Sequence, residues 1–396
     1  MMQISPETQL FIREHSSDDV RVLALQAKKY PDIDMPTAIT QIAGRKVAAE
    51  KIPSWWEIEK IWYPKHLSLE QCSSEITARY KARLLQGDSL TDLTGGFGID
   101  CSFLATGFKS ATYVERQEEL CEIAAHNFPV LNLNHINIKN EDGVTYLQAM
   151  SPVDCLFLDP ARRNEHGGKT VAISDCEPNV AELEELLLQK ANRVMIKLSP
   201  MLDLSLALKE LKQTQEVHIL SVNNECKELL ILLGQTSPTE ISIHCVNLST
   251  KGTQEEQHFV FTREQEQCSE CTYTDSLETY LYEPNASLLK AGAFRSIAAV
   301  YPVRKLHPNS HLYTSDTFIE NFPGRIFRIV NQCSFNKKEV KENLADLKKA
   351  NVTVRNFPAT VAELRKRIHL AEGGDTYLFA STLNNEQKVL IRCEKV

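Results

Sequence analysis

The stretch Thr91-Asp92-Leu93-Thr94-Gly95-Gly96-Phe97-Gly98-Ile99-Asp100 follows a short apolar run and opens a helical pattern. Glycines there let the backbone approach a ligand closely and set helix N–H groups against its polar end. A tight turn with no ligand would carry the same residues, so the meaning lies in what surrounds it. Three acids follow at intervals. Glu115 comes after Ala111-Thr112-Tyr113-Val114, Asp142 sits in Asn140-Glu141-Asp142-Gly143, and Asp159 in Leu156-Phe157-Leu158-Asp159-Pro160-Ala161-Arg162-Arg163. Each alone reads as a solvated strand end. Together they place polar groups at four successive strand C-termini, where open α/β sheets bind ligands. An acid after the second strand faces ribose hydroxyls, one after the third reaches an exocyclic amino group, and one after the fourth orients a substrate. This is chemistry for a bound nucleoside. A dinucleotide turn would read G-x-G-x-x-G, which Gly95-Gly96-Phe97-Gly98 does not match, so a dehydrogenase is disfavoured.

Other residues fall on the same rim. Lys197, in Ile196-Lys197-Leu198-Ser199-Pro200, ends the fifth strand and has two readings, a contact to substrate phosphate or an ion pair with Asp159. The connection from Arg163 to Asn179 is long enough for a lid. It carries Arg163, His166, Gly167, Gly168, Lys169, Ser174 and Asp175, either a substrate clamp or a plain surface loop. Cys268-x-x-Cys271 is half of a zinc pattern, but adding Cys245 and His258 gives no common ligand spacing, so no metal is expected. Cys155 reads as a packed strand residue, and Cys226 as a weak candidate nucleophile. Trp55, Trp56 and Trp62 read as helical core rather than a base-stacking platform.

The elements that must position these residues follow from periodicity. Residues 1–85 read as helical, with apolar side chains at helical spacing and Pro31, Pro36, Pro53 and Pro64 as punctuation. Ser73 and Ser74 supply an N-cap signal for a helix running to Leu85. Over residues 86–281 short apolar runs alternate with amphipathic stretches: Leu90–Leu93, Gly107–Val114, Ile136–Ile138, Val153–Leu158, Arg193–Leu198, Glu216–Val222 and Leu229–Leu233. That alternation predicts an α/β fold with a seven-stranded, mostly parallel sheet covered on both faces. Ile241–Leu248 then precedes a polar stretch from Ser249 to Glu270. Two smaller α/β segments follow, 282–326 and 327–396.

With Asp92 before the glycines, Glu115 after them and the D-P-A-R turn, residues 70–235 resemble class I S-adenosylmethionine-dependent methyltransferases, with their Rossmann-like sheet. The likeness implies that Asp92, Thr94, Gly95, Gly96 and Gly98 hold the methionine end of the cofactor, that Glu115 takes the ribose, and that Asp142 and Gly143 lie near the adenine. Ser73, Ser74 and Thr77 occupy the place of the upstream helix that lines such pockets, and Asp159 borders both cofactor and acceptor. Enzymes of this class that act on exocyclic amines carry Asn/Asp-Pro-Pro-aromatic after the fourth strand. Here Asp159-Pro160 remains, while Ala161 and Arg162 replace proline and the aromatic. The implied catalytic set is Asp159, Pro160, Arg162 and Lys197, with an arginine plane as one possible stacking surface. More closely, the chain is similar to a bacterial family with a ferredoxin-like segment and a C-terminal THUMP-like domain. Tyr282-Glu283-Pro284-Asn285-Ala286 and Lys290-Ala291-Gly292-Ala293-Phe294 carry the first likeness, and Gly373-Gly374-Asp375-Thr376-Tyr377-Leu378-Phe379-Ala380 the second. THUMP domains accompany RNA-modifying enzymes.

Charge points the same way without proving it. The 396 residues carry 44 basic and 52 acidic side chains, a net of −8. Residues 1–283 hold −16 and residues 284–396 hold +8. A basic part on an acidic chain suits a polyanionic partner, here RNA. No apolar run spans a bilayer and the N-terminus has no signal-peptide pattern, so no membrane contact is expected. The 11 cysteines are odd in number and scattered, which fits reduced thiols in the cytoplasm. The expected function is methyl transfer to RNA, to a base nitrogen or another nucleophile. The rivals are an RNA-binding protein with a retained cofactor fold and a methyltransferase for a protein or small metabolite.

Overall fold

The N-terminal helices α1 (Pro6–Glu14), α2 (Val20–Leu25), α3 (Met35–Lys51), α4 (Pro53–Trp56), α5 (His66–Gln71) and α6 (Glu75–Ala82) end three residues short of the expected Leu85. The computed structural model describes residues 4–162, 172–236, 238–250 and 256–396. Arg163, His166, Gly167, Gly168 and Lys169 lie outside the described residues, as does the side chain of Arg162. The chain divides into two units, residues 1–215 with 229–238, and residues 216–228 with 239–396.

In the first unit, strands β1 (Ser89–Asp92), β2 (Ser110–Glu115), β3 (Ile136–Asn140) and β4 (Val153–Leu158) alternate with helices α7 (Ile99–Ala105), α8 (Glu118–Val130) and α9 (Gly143–Ala149). A two-residue ribbon pairs β5 (Ala161–Arg162) with β6 (Cys176–Glu177). Next come α10 (Val180–Lys190), β7 (Ala191–Leu198) and α11 (Leu204–Glu210); β8 (Thr214–Val222) and β9 (Glu225–Gly234) follow, with residues 216–228 of them counted in the second unit. β1 pairs in parallel with β2 and β4, β2 with β3, and β4 with β7, while β9 runs antiparallel to β7. Cys155–Leu158 of β4 and Val194–Leu198 of β7 are buried throughout, as a sheet covered on both faces requires.

The N-terminal helices hold the glycine turn. Ala48, Ile52, Trp55, Ile61 and Tyr63 share one core with Phe97 and Ile99. Phe97, between Gly96 and Gly98, packs edge-on against Trp55 with ring centroids 5.1 Å apart. The turn is thus bolted at its middle residue, and Trp55 is core, as expected. Trp62, half-buried, packs against the same core and stacks on His126 at 3.7 Å, while Trp56 is exposed.

In the second unit, β10 (Ser242–Leu248) pairs in parallel with β8 and antiparallel with β11 (Glu256–Thr262). β11 and the helix α12 (Arg263–Cys268) occupy the stretch that the sequence marks only as polar. Beyond lie β12 (Tyr280–Pro284), α13 (Ala286–Ala291), α14 (Ser296–Val300), β13 (Arg304–Lys305), β14 (Tyr313–Ser315), β15 (Gly324–Ser334), α15 (Lys337–Leu344), β16 (Asn351–Val354), α16 (Val361–Ile368), β17 (Thr376–Thr382) and β18 (Lys388–Lys395). Seven of these strands form one sheet in the order β13-β14-β12-β15-β18-β17-β16. Glu283, buried at the end of β12, accepts from both Arg325 and Arg355.

Candidate active site

The tips of four parallel strands are stitched to the glycine turn by direct contacts. Asp92 ends β1 and is 1% exposed. Its Oδ1 accepts from the Thr94 amide at 3.0 Å, while its Oδ2 is buried without a hydrogen-bond partner among the described residues. Burial, reinforced by Asp100, Asp159 and Glu115, holds this carboxyl well above the usual range, against the opposing Thr94 amide. Gly95 packs so closely on the Tyr113 ring that a Cβ would lie 2.2 Å from it. Gly96 follows at φ +55°, and the one heavy atom within 4 Å of where a Cβ would sit, among the described residues, is the Thr94 carbonyl oxygen at 3.8 Å. Gly98, at φ +86°, turns the chain into α7.

Glu115, at the tip of β2, accepts from the Gly96 amide at 2.9 Å and the Gln117 amide at 2.8 Å, one on each oxygen. Each oxygen keeps a further lone pair. Beyond β3, Asp142 caps α9 through its Oδ1, which takes the Val144 and Thr145 amides at 3.0 Å. A Cβ on Gly143 would stand 2.2 Å from the Leu93 carbonyl, so this loop presses on the end of β1. Beyond β4, the Asp159 amide donates to Thr94 Oγ1 at 2.6 Å, and Pro160 is buried. Glu115, Gly143 and Asp159 therefore all meet one turn.

A buried ion network underlies the acceptor side. Lys197 Nζ lies 2.5 Å from Asp159 Oδ2 and 3.7 Å from Asp100 Oδ2. This favours the ion-pair reading of Lys197. Asp100 also pairs with Lys81, fully buried on α6, at 2.8 Å, and accepts from Ser73 at 2.7 Å. Burial works against the Asp100 carboxylate, but Lys81 and Lys197 outweigh it and its pKa is lowered. Burial raises the Asp159 carboxyl, with Lys197 opposing. Lys81 and Asp100 received no role from the sequence. Asp100 ends the glycine motif, and Lys81 sits on a helix where a lysine reads as solvated. Ser74 is the N-cap residue of α6, but its hydroxyl faces Thr77 Oγ1 at 3.3 Å rather than a backbone amide, which corrects the expected side-chain cap.

Two minor candidates fall away. Burial pushes the Cys226 thiol up to about 11, which leaves it a poor nucleophile. The β10–β11 register puts Cys245 opposite Phe259 and His258 opposite Val246, so Cys245 and His258 point to opposite faces and cannot share an ion with Cys268 and Cys271.

A parallel sheet ordered β3-β2-β1-β4-β7, an antiparallel β9 beside it, and acids after β1 and β2 around a glycine turn define a class I methyltransferase fold. The chain belongs to the family of a Porphyromonas gingivalis W83 protein of known crystal structure, provisionally assigned as a methyltransferase. The two are 34% identical over all of both chains, with a TM-score of 0.87. Residues 280–323 match a ferredoxin-like domain and residues 324–395 a THUMP-like domain. An rRNA methylase from Streptococcus thermophilus covers 40% of this chain and 93% of its own, at 14% identity and TM-score 0.30. A provisional methyltransferase from Streptococcus mutans, in complex with SAH, covers 40% and 96% at the same identity and score. No curated protein sequence matches the chain. Among the described residues no helix is long and apolar enough to cross a membrane.

Proposed function

We propose that the chain is an S-adenosylmethionine-dependent methyltransferase that modifies RNA. The observation that carries the reading is the orphaned Oδ2 of Asp92, buried beneath a turn to which Glu115, Gly143 and Asp159 are all tied. A buried carboxylate oxygen without a donor suits the amino end of a methionyl group. The uncrowded position at Gly96 suits the close approach of a ligand to backbone. When bound, S-adenosylmethionine supplies an electrophilic methyl on a sulfonium centre.

Asp92, Thr94, Gly95, Gly96 and Gly98 would hold the methionine end, with Ser74 and Thr77 lining the pocket from α6. The two unused lone pairs of Glu115 would accept ribose hydroxyls. Asp142 keeps one oxygen for an adenine amino group, and Gly143 brings backbone alongside. Asp159 keeps Oδ1 for an acceptor group, because Lys197 occupies Oδ2 and fixes the carboxylate in place. With the Pro160 carbonyl and Arg162, it would orient the nucleophile, so that catalysis is positioning and field rather than covalent attack. The THUMP-like domain and the +8 charge of residues 284–396 support RNA as the partner.

The test is labelled-methyl transfer onto total RNA from cells lacking the protein, followed by nucleoside mass spectrometry, beside calorimetric titration with S-adenosylhomocysteine. One labelled nucleoside and saturable binding are expected. Binding without incorporation would favour an RNA-binding protein with a retained fold. Transfer that ignores RNA and survives removal of residues 284–396 would favour another substrate. No binding at all sinks the reading.

A further inference from the structure

In the second unit, β8, β10 and β11 bring three histidines and a glutamate to one face of their sheet. β10 sets His244 opposite His218 and Ser242 opposite Glu216, and β11 sets His258 opposite Val246. Side chains alternate along a strand, so Glu216, His218, His244 and His258 all project the same way. The His218 and His244 rings stack with centroids 4.3 Å apart. His218 Nε2 lies 3.2 Å from Glu216 Oε2, and His244 Nδ1 lies 3.1 Å from His258 Nε2. One ligand atom each from Glu216, His218 and His244 fall within 4.8 Å of one another. His218 is buried, Glu216 and His244 are half-buried, and His258 is exposed, so the cluster opens toward solvent at its edge.

We propose that Glu216, His218 and His244 bind a divalent transition ion of the Zn2+ class, with His258 orienting His244 or completing the set. Two imidazoles and a carboxylate, with a fourth position open, are a zinc donor set. Imidazole nitrogen selects such ions over Ca2+ or Mg2+. Tetrahedral donors roughly 2.0–2.2 Å from one ion stand about 3.3–3.6 Å apart, so the cluster must contract by up to about 1.5 Å. Side-chain rotation supplies that much. The bound ion would clamp β8 to β10, and the site stands whether or not the methyl-transfer reading holds.

The test uses the full, tag-free chain stripped with chelator and dialysed against ZnCl2, with elemental analysis and thermal unfolding. About one Zn2+ per chain and a raised unfolding midpoint are expected. His244→Ala should lose the ion, and His258→Ala should weaken binding by about 10–100-fold, the scale for an orienting partner. Both sites are less buried than His218, and circular dichroism checks that the variants fold. A Cys268→Ser/Cys271→Ser double variant should retain the ion, and Co2+ loaded in its place should give visible bands without a thiolate charge-transfer band. A wild-type chain that retains no Zn2+, an ion that survives His244→Ala, or an ion lost with the two thiols overturns the proposal.

Discussion

Asp92 is where folding and binding pull in opposite directions. Its carboxyl is almost wholly buried with one oxygen unsatisfied, and its folded pKa is raised, by burial first. A raised folded pKa means that the folded state holds a proton the unfolded state has already released. Stability is full below the unfolded value of about 3.9 and is lost as pH rises through the folded value. Asparagine mimics the protonated form, so Asp92→Asn should unfold at a higher temperature than the wild type at pH 8, with the gain shrinking toward pH 4. It should also weaken S-adenosylhomocysteine binding. A variant less stable than the wild type at pH 8 would show that the carboxylate finds its donor within the protein. Glu115 differs, since both its oxygens already accept amides. Glu115→Ala should cost about 1–3 kcal/mol of cofactor affinity, the scale of a charged hydrogen bond, and an unchanged dissociation constant would remove its ribose role. Asp159→Ala should abolish transfer while leaving that constant within a few-fold; equal loss of both would make Asp159 structural.

Among elements, the ion network decides how α6, α7, β4 and β7 are held together. Lys81 from α6 and Lys197 from β7 meet at Asp100 on α7, and Lys197 continues to Asp159 beyond β4. Removing one partner of a buried pair strands the other, at about 3–5 kcal/mol. Lys81→Met should lose stability on that scale in urea unfolding, and a loss under about 1 kcal/mol would show that water replaces the lysine. Of this network the sequence offered the Lys197–Asp159 pair as one reading, while Lys81 and Asp100 were not legible, because they come from separate elements and nothing local marks a lysine as buried. The strands that carry the site were legible, since β4 and β7 hold the apolar runs Cys155–Leu158 and Val194–Ile196, which need no partner to be seen. β11 was hidden for the opposite reason. It alternates buried Phe259 and Phe261 with exposed His258 and Val260, and polar flanks mask a pattern that short. The acids at the strand tips were readable from position, whereas their hydrogen bonds to the turn depend on how tightly β1, β2 and β4 pair.

At the scale of the molecule, charge is divided between function and structure. Residues 284–396 carry +8, but Arg304, Arg325, Arg328, Arg355, Arg365 and Arg392 each pair with a carboxylate. A polyanion, if bound there, would then meet the lysines and the two arginines outside these pairs, Arg295 and Arg367; Lys337, Lys338 and Lys341 stand exposed together on α15, with Lys348 and Lys349 following. Lysines that meet phosphate release counterions, and the logarithm of affinity for single-stranded RNA falls by roughly 0.7 per contact for each logarithm of salt. If the α15 lysines are the contact, a triple Lys337→Gln, Lys338→Gln, Lys341→Gln variant should bind RNA more weakly at low salt. Its salt slope should be shallower by about 2 in fluorescence anisotropy across a salt titration. None of the three lysines belongs to the candidate site, so S-adenosylhomocysteine affinity should stay as in the wild type. A shallower slope with that affinity intact would assign RNA capture to the THUMP-like domain, whereas an unchanged slope would move the contact off α15.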